Sequence, residues 1–316
     1  MTISILIPIY KSEKYVEQCL RSVFEQTYND IEYIIVNDAT PDRSMEIVNC
    51  ILNEYPERKL ATKIINNEQN QGIALTRNIL VKHATGDYIY FVDSDDFIEK
   101  NTISEFVSIA QSQHPDIIRC SYFEYKMGEN IAIPNLQFDN KEELFRRCLS
   151  DKNRMNTMWL MLIRRNLLHE SEISFAKGIN GCEDFLMTIK LLYYADTVIN
   201  LPLPLYHYRI DNLNSITHDD HMFRDDSCTA LIAIVAFLKE KGIYQHYLED
   251  MLVSMFLSKQ QYLINKEIRD ISKYINTFPE ANSVYKRFPY SRKTYFLFYL
   301  AEHRKERLLK LLCKFT

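Results

Sequence analysis

The chain has 316 residues, enough for two domains at about 100–200 residues each, or for one large domain with an appendage. Hydrophobic residues make up 47% and charged residues 25%, which fits a globular protein and excludes a disordered or collagen-like chain. The 38 basic and 42 acidic residues leave a net charge of −4, far from the basic excess of a nucleic-acid binder, and only 6 glycines are present, too few to favour a glycine-cradled phosphate site.

The N-terminus reads as a strand. Ile3–Ile9 is β-branched and apolar, lacks a basic leader, and is interrupted by Pro8, so it is not a signal peptide. Helical spacing follows over 13–26 (Tyr15, Val16, Cys19, Leu20, Val23, Phe24), then a strand over 31–36 ending at Asn37-Asp38. A helix starting near Pro41-Asp42-Arg43-Ser44, a strand over 62–65, a helix over 73–83 and a strand over 87–92 complete the alternation. Strands separated by helices imply a mainly parallel sheet, whose ligands bind beyond the carboxyl ends of the strands. Helices are expected at 102–112, 141–149 and 182–194, a strand at 116–125, and a helical region beyond 220, clearest at 227–241 and 247–262.

Seven cysteines without C-x-x-C spacing argue against a disulfide framework or zinc knuckle, and suit small core residues in a reducing compartment. The longest apolar run, Ala230–Leu238, is far short of the ~20 residues of a membrane span, so a soluble or peripheral cytoplasmic protein is expected. Residues 285–316 carry nine basic residues against Glu302 and Glu306, interleaved with aromatics. Such a segment suits an anionic membrane surface, and equally a terminal helix that packs one face and solvates its charges.

Tyr88–Val92 runs into Asp93-Ser94-Asp95-Asp96. In extended chain, residues two apart face one way, so Asp93 and Asp95 can meet one ligand. Paired hard oxygens suit Mg²⁺ or Mn²⁺ carrying substrate phosphates. The plainer alternative is that Asp95 or Asp96 caps the next helix.

Several ordered blocks resemble the start of family 2 glycosyltransferases: Ile5–Tyr10, Leu20–Thr27, Ile34–Asp38, Asn70–Asn78 and Ala84–Asp96. Weaker similarity continues at Trp159, at Cys182-Glu183-Asp184-Phe185, and from Tyr206-His207-Tyr208-Arg209 to Thr217, so that it covers roughly 1–220. The resemblance, of the bacterial surface-polysaccharide type, implies a GT-A fold: a Rossmann-like, mainly parallel sheet flanked by helices. Residues 1–97 would form the nucleotide-sugar half, 98–220 the acceptor half, and 221–316 a helical extension beyond the similarity.

The same resemblance implies transfer of a sugar from a nucleotide diphosphate, with inversion, to a hydroxyl of a glycan or lipid-linked saccharide. Pro8 and Tyr10 would line the base and ribose pocket. Asp38 would accept from uracil N3–H, biasing the donor to UDP, and Asp42 reads as a helix cap. Arg77 would approach the nucleotide or help order the acidic loop, or else pair with a carboxylate and never touch substrate. Asp93 would meet ribose or metal-bound water, and Asp95 would bind the metal. Asp184 would be the base and Glu183 would hold a neighbouring acceptor hydroxyl. At a helix N-terminus this acid pair could equally serve only the dipole. Arg209 and Ser215, with Thr217 and His218, would fall in a loop closing over the diphosphate. His207 and His218 are candidate extra metal ligands. Trp159 could stack on a sugar or sit in the core, and Met161 stands where relatives frequently have lysine.

Two other functions compete: a sugar nucleotidyltransferase, disfavoured because Pro8–Ser12 holds no glycine, and a non-catalytic nucleotide-sugar binder. The sequence leaves sugar, linkage and oligomeric state open, although the helical C-terminus offers a surface for pairing. Catalysis at the inner face of the membrane is the expected setting if the basic tail meets lipid.

Overall fold

In the computed structural model, residues 1–135, 137–150, 156–212, 220–267 and 269–313 are described. The chain forms two compact units: Met1–Lys141 with Met155–Ser215, and Glu142–Arg154 with Ile216–Thr316. Residues 1–97 and 98–209 both contribute strands to a single sheet of the first unit, nine-stranded among the described residues.

The chain begins with β1 (Ile3–Ile9), α1 (Val16–Phe24), β2 (Ile31–Asn37), α2 (Ser44–Glu54), α3 (Pro56–Leu60), β3 (Thr62–Asn66), α4 (Ile73–His83) and β4 (Tyr88–Phe91). β3, β2, β1 and β4 lie side by side in that order, all parallel. Every residue of β1 is buried, as a central strand covered on both faces requires. α4 packs on β1 and β2 and buries Ala74, Thr76, Arg77 and Leu80. All four strands end at the same edge of the sheet, so Tyr10, Asp38, Asn67 and Asp93 emerge together there. Between β1 and β4 the strand order reverses, and such a crevice is where open α/β sheets bind ligands.

Beyond β4 the sheet becomes mixed. β5 (Phe97–Ile98), α5 (Thr102–Gln113), β6 (Ile117–Lys126) and β7 (Glu129–Ile133) follow. After α6 (Lys141–Ser150) come β8 (Met161–Arg164), α7 (Arg165–Glu170), α8 (Glu183–Tyr194) and β9 (Val198–Arg209). β8 runs antiparallel to β4 and β6, β9 runs parallel to β6, and β5 runs antiparallel to β9. β6 and β7 form a hairpin through Met127 and Gly128, both at positive φ (51° and 92°), the combination a two-residue turn requires. β9 contains Pro202 and Pro204, and its register slips where Ser121 meets Pro204, since proline gives no ladder hydrogen bond.

The second unit is helical in its described residues: most of α6, then α9 (Asp220–Glu240), α10 (Leu248–Lys259), α11 (Gln261–Ile264), α12 (Ile271–Asn276), α13 (Arg292–Glu302) and α14 (Glu306–Cys313). Its core is aromatic: Phe298 meets Phe256, Tyr274, Tyr285 and Tyr290 at ring distances of 5.0–5.8 Å. α6 joins through Arg146, which pairs with Asp250 at 2.8 Å, and through Phe145 against the Tyr247 ring at 4.7 Å. The helix expected over 247–262 divides at Lys259, whose buried ammonium reaches Thr277 O, Phe278 O and Asn282 Oδ1 at 2.5–2.7 Å. No helix among the described residues is long and apolar enough to cross a membrane.

Candidate active site

Two separate stretches, the turn after β4 and the first turn of α8, meet at one side chain of α4. Arg77 is buried, with Nη1 donating to Glu183 at 2.7 Å and to Asp184, and Nη2 donating to Asp93 at 3.1 Å. Its guanidinium also lies over the rings of Phe91 and Phe175, at 5.7 and 5.8 Å. Arg77 thus has its donors engaged by carboxylates, one of them in the turn after β4, as two of the roles expected of it foresee. Burial opposes its charge, but Asp184, Asp93 and Glu183 outweigh that and hold the guanidinium protonated.

Asp184 is anchored a second time, its Oδ2 accepting from the Met158 amide at 3.1 Å. Cys182, not an acid, occupies the N-cap of α8, and no side chain caps that end. Burial lifts the Asp184 carboxyl to about 6 against the pull of Arg77. Burial, and then the neighbouring Asp184, push Glu183 well above the usual carboxylate range. A carboxylate raised toward neutrality is a better proton acceptor than an exposed one.

The three acids after β4 divide in environment. Asp93 is a quarter exposed at its side chain. Asp95 accepts from Asn212 Nδ2 at 2.8 Å, and its carbonyl accepts from Arg209 Nε at 2.8 Å. Asp96 is buried and accepts from the Arg209 amide and from Tyr206 Oη, each at 2.7 Å. Tyr206 Oη in turn accepts from the Asp93 amide at 3.2 Å. The alternative of a helix cap fails for Asp95 and Asp96, because β5 follows them and Asn101 occupies the N-cap position of α5.

Trp159 is buried against Tyr206 and Tyr208, with rings nearly parallel at 4.4 and 5.4 Å. It props the tyrosine that fixes the acidic turn, and is not open to stack on a sugar. Met161 lies wholly buried in β8. His207 faces the opposite way, stacked between Phe97 and Phe123 at 4.1 and 4.7 Å. Its nitrogens meet Asn130 Oδ1 and Glu99 Oε1, both at 2.8 Å, so it is taken up within the fold. Arg209 donates to Gln18 at 2.6 Å and lies over the rings of Tyr15 and Tyr125 at 4.7 and 4.6 Å. Ser215, Thr217 and His218 lie outside the described residues.

Asp38 is buried at the end of β2 and accepts from Asn67 Nδ2, Gln71 N and Gly72 N at 2.8, 2.7 and 3.0 Å. It gathers the loop ahead of α4, and a carboxylate offering about four acceptor positions keeps room for one further donor. Gly72 must be glycine: its φ is +83°, and a Cβ there would meet Asn180 Oδ1 at 2.5 Å. Pro8 is buried in β1 beside Val36. Tyr10 is 42% exposed, with the Lys11 ammonium 5.1 Å from its ring centre. Asp42 stands one residue before Arg43, which occupies the N-cap of α2, and accepts from the amide of Ser44, the first residue of that helix.

Among the described residues no three His, Cys, Asp or Glu side chains gather as a ligand cage. Two carboxylates do stand at one strand end, and Mg²⁺ or Mn²⁺ usually takes one or two together with water and substrate phosphates. Burial, and then the charge of Asp93, raise the Asp95 carboxyl, a repulsion that a divalent ion would relieve. This donor set fits such an ion.

Sequence reasoning overlooked Tyr206, Asn212, Asn180 and Met158 as parts of this network. One signal was available. In the run Tyr206–Arg209, two-residue alternation puts both tyrosines on one face and His207 with Arg209 on the other.

A sequence model described as Glycosyl transferase family 2 matches residues 4–171. The uncharacterized glycosyltransferase EpsJ of Bacillus subtilis is 27% identical, over 99% of this chain and 92% of that protein. Poly(ribitol-phosphate) beta-N-acetylglucosaminyltransferase TarS of Staphylococcus aureus is 29% identical over 66% of this chain, which spans 35% of TarS. The crystal structure of TarS 1-349 in complex with UDP-GlcNAc superposes with a TM-score of 0.69 at 21% identity, covering 96% of this chain and 88% of that one. The mannosyltransferase PcManGT of Pyrobaculum calidifontis, in complex with GDP-Man and Mn²⁺, gives a TM-score of 0.58 at 16% identity, covering 99% and 83%.

Proposed function

The chain belongs to glycosyl transferase family 2 and is a glycosyltransferase of GT-A fold; from that premise we propose that it moves a sugar, with inversion, from a UDP-linked donor to a hydroxyl of a glycan or lipid-linked saccharide. The observation that carries this reading is the Arg77 junction, which ties Asp93, the first acid after β4, to the acid pair opening α8.

In the proposed reaction the acceptor oxygen bonds to the anomeric carbon as the bond from that carbon to the β-phosphate oxygen breaks. Asp184 takes the hydroxyl proton, its carboxylate aimed by Arg77 and by the Met158 amide. Glu183, held higher in pKa, holds an adjacent acceptor hydroxyl. Asp95, with Asp93, would hold Mn²⁺ or Mg²⁺, which when bound supplies positive charge against the departing diphosphate. Arg77 is a positioning residue here, acting through Asp184 and Asp93. Tyr10 and Pro8 would border the base, and Asp38, with its remaining acceptor position, would receive the uracil N3–H. Arg209 and Ser215 would close the diphosphate side. The UDP-GlcNAc bound by TarS supports an N-acetylhexosamine as the first donor to try. Surface-polysaccharide assembly at the inner face of the membrane is the setting proposed.

The test is UDP release from a panel of UDP-sugars, with and without Mn²⁺. Metal-dependent release, lost in Asp95→Asn and Asp184→Asn, is expected. Pyrophosphate release would point to a nucleotidyltransferase, and UDP binding without transfer to any acceptor would point to a binder.

A further inference from the structure

The last two helices present a surface that the packing of their unit does not use. α13 buries Leu297, Phe298, Leu300 and Ala301, and turns outward Tyr295, Phe296 and Tyr299, which are 39%, 47% and 43% exposed. With Arg292 these fall three and four residues apart, on one helical face, and with Tyr290 they frame a hollow of about 480 Å³. α14 repeats the arrangement: Leu309 is buried, while Leu308 and Leu311 are 45% and 54% exposed. Cations lie along and between these stripes. Arg292, Lys293, Arg304, Lys305 and Arg307 are all exposed, and among the described residues none meets a carboxylate. Lys286 and Arg287, by contrast, pair with Glu302 and Glu249.

We propose that this face docks on an anionic lipid bilayer, a deepening of the membrane setting above that does not depend on the transfer chemistry. Exposed aromatic and leucine side chains suit the headgroup boundary, and unpaired cations beside them suit anionic lipid. The field is local: residues 285–316 carry about +7, and the rest of the chain about −11. A negative surface therefore attracts this segment, although the chain as a whole is acidic. A second copy of the chain is a poorer occupant, because it would bring the same five cations against themselves.

The test is co-sedimentation of the full chain with phosphatidylcholine vesicles, with and without phosphatidylglycerol. Binding is expected only with phosphatidylglycerol, and should weaken as salt rises. Arg304→Glu with Lys305→Glu and Arg307→Glu should lower partitioning by more than about a hundredfold, at roughly fivefold for each cation lost near the surface. Phe296→Ser with Tyr299→Ser should release the protein as well. All five positions are exposed, so melting temperature and UDP release measured without vesicles should stay unchanged, separating failure here from failure of the catalytic reading. Salt dependence of the unaltered chain serves if a variant misfolds. Equal binding to neutral vesicles, no binding at all, or a dimer in gel filtration that Phe296→Ser dissolves would overturn the proposal.

Discussion

Replacing Arg77 with glutamine removes the one cation shared by Asp93, Glu183 and Asp184 while keeping a hydrogen-bond donor. Breaking a buried ion pair from one side costs about 3–5 kcal/mol. Protonation of the stranded carboxyls absorbs part of that, so the variant should fold with a lowered melting temperature. The catalytic effect follows from Asp184. Its carboxyl titrates near 6 with Arg77 holding it down, so at pH 7 it is ~90% ionised. A guanidinium this close lowers a carboxyl pKa by about 1–3, so its loss should raise Asp184 to roughly 8. At pH 7 only ~10% would then be ionised, and kcat/KM should fall about ninefold and recover as pH approaches 9. The assay is UDP release at saturating metal across pH 5–9, alongside thermal melting. A uniform loss with the acidic limb unmoved would refute Arg77 as the residue that sets the ionisation of the base. Unchanged kcat/KM at every pH would refute any part for it in the site.

Asp184→Asn should cut kcat by about 10²–10⁴ while donor affinity, read by calorimetry, stays close to that of the unaltered chain. Asp95→Asn should instead weaken metal-dependent donor binding, and a variant that binds donor normally would remove Asp95 from that role. Gly72→Ala combines a strained φ with a Cβ placed 2.5 Å from Asn180, and should lower stability by roughly 1–3 kcal/mol in a denaturant titration; an unshifted midpoint would contradict the close approach. Lys259→Met should destabilise the helical unit by about 1–3 kcal/mol, because three acceptors lose their donor. Burial draws that ammonium down to about 7, yet its three hydrogens match those acceptors; equal melting temperatures would show that they do not need it.

The parallel half of the fold was legible because both signals it needs are local. β1, β2 and β4 are short apolar runs, and α4 spans the 73–83 expected of it. The mixed half was harder. β9 hides behind Pro202 and Pro204, β5 is only two residues long, and β7 is an exposed hairpin arm without a buried face. α1 begins later than spacing suggests because Ser12 O accepts from both Tyr15 and Val16, a turn that delays the helix. In the site, each acid could be named from its motif and a carboxylate partner for Arg77 was among the expectations, but its joining of acids 16, 106 and 107 residues away could not be named. Long-range pairing depends on how α4 and α8 approach, which no local pattern encodes. Trp159 and His207 show the same limit: for each the sequence left a ligand role and a place within the fold both open, and both are committed to aromatic stacks across β9.

Manganese and UDP diffused into crystals of the protein, with data collected at the manganese absorption edge, test the site most directly. Anomalous density about 2.1 Å from the carboxylate of Asp95, bridged to the UDP phosphates and close to Asp93, is the predicted result. UDP bound with no ion beside those two acids, or an ion held elsewhere in the chain, would contradict it.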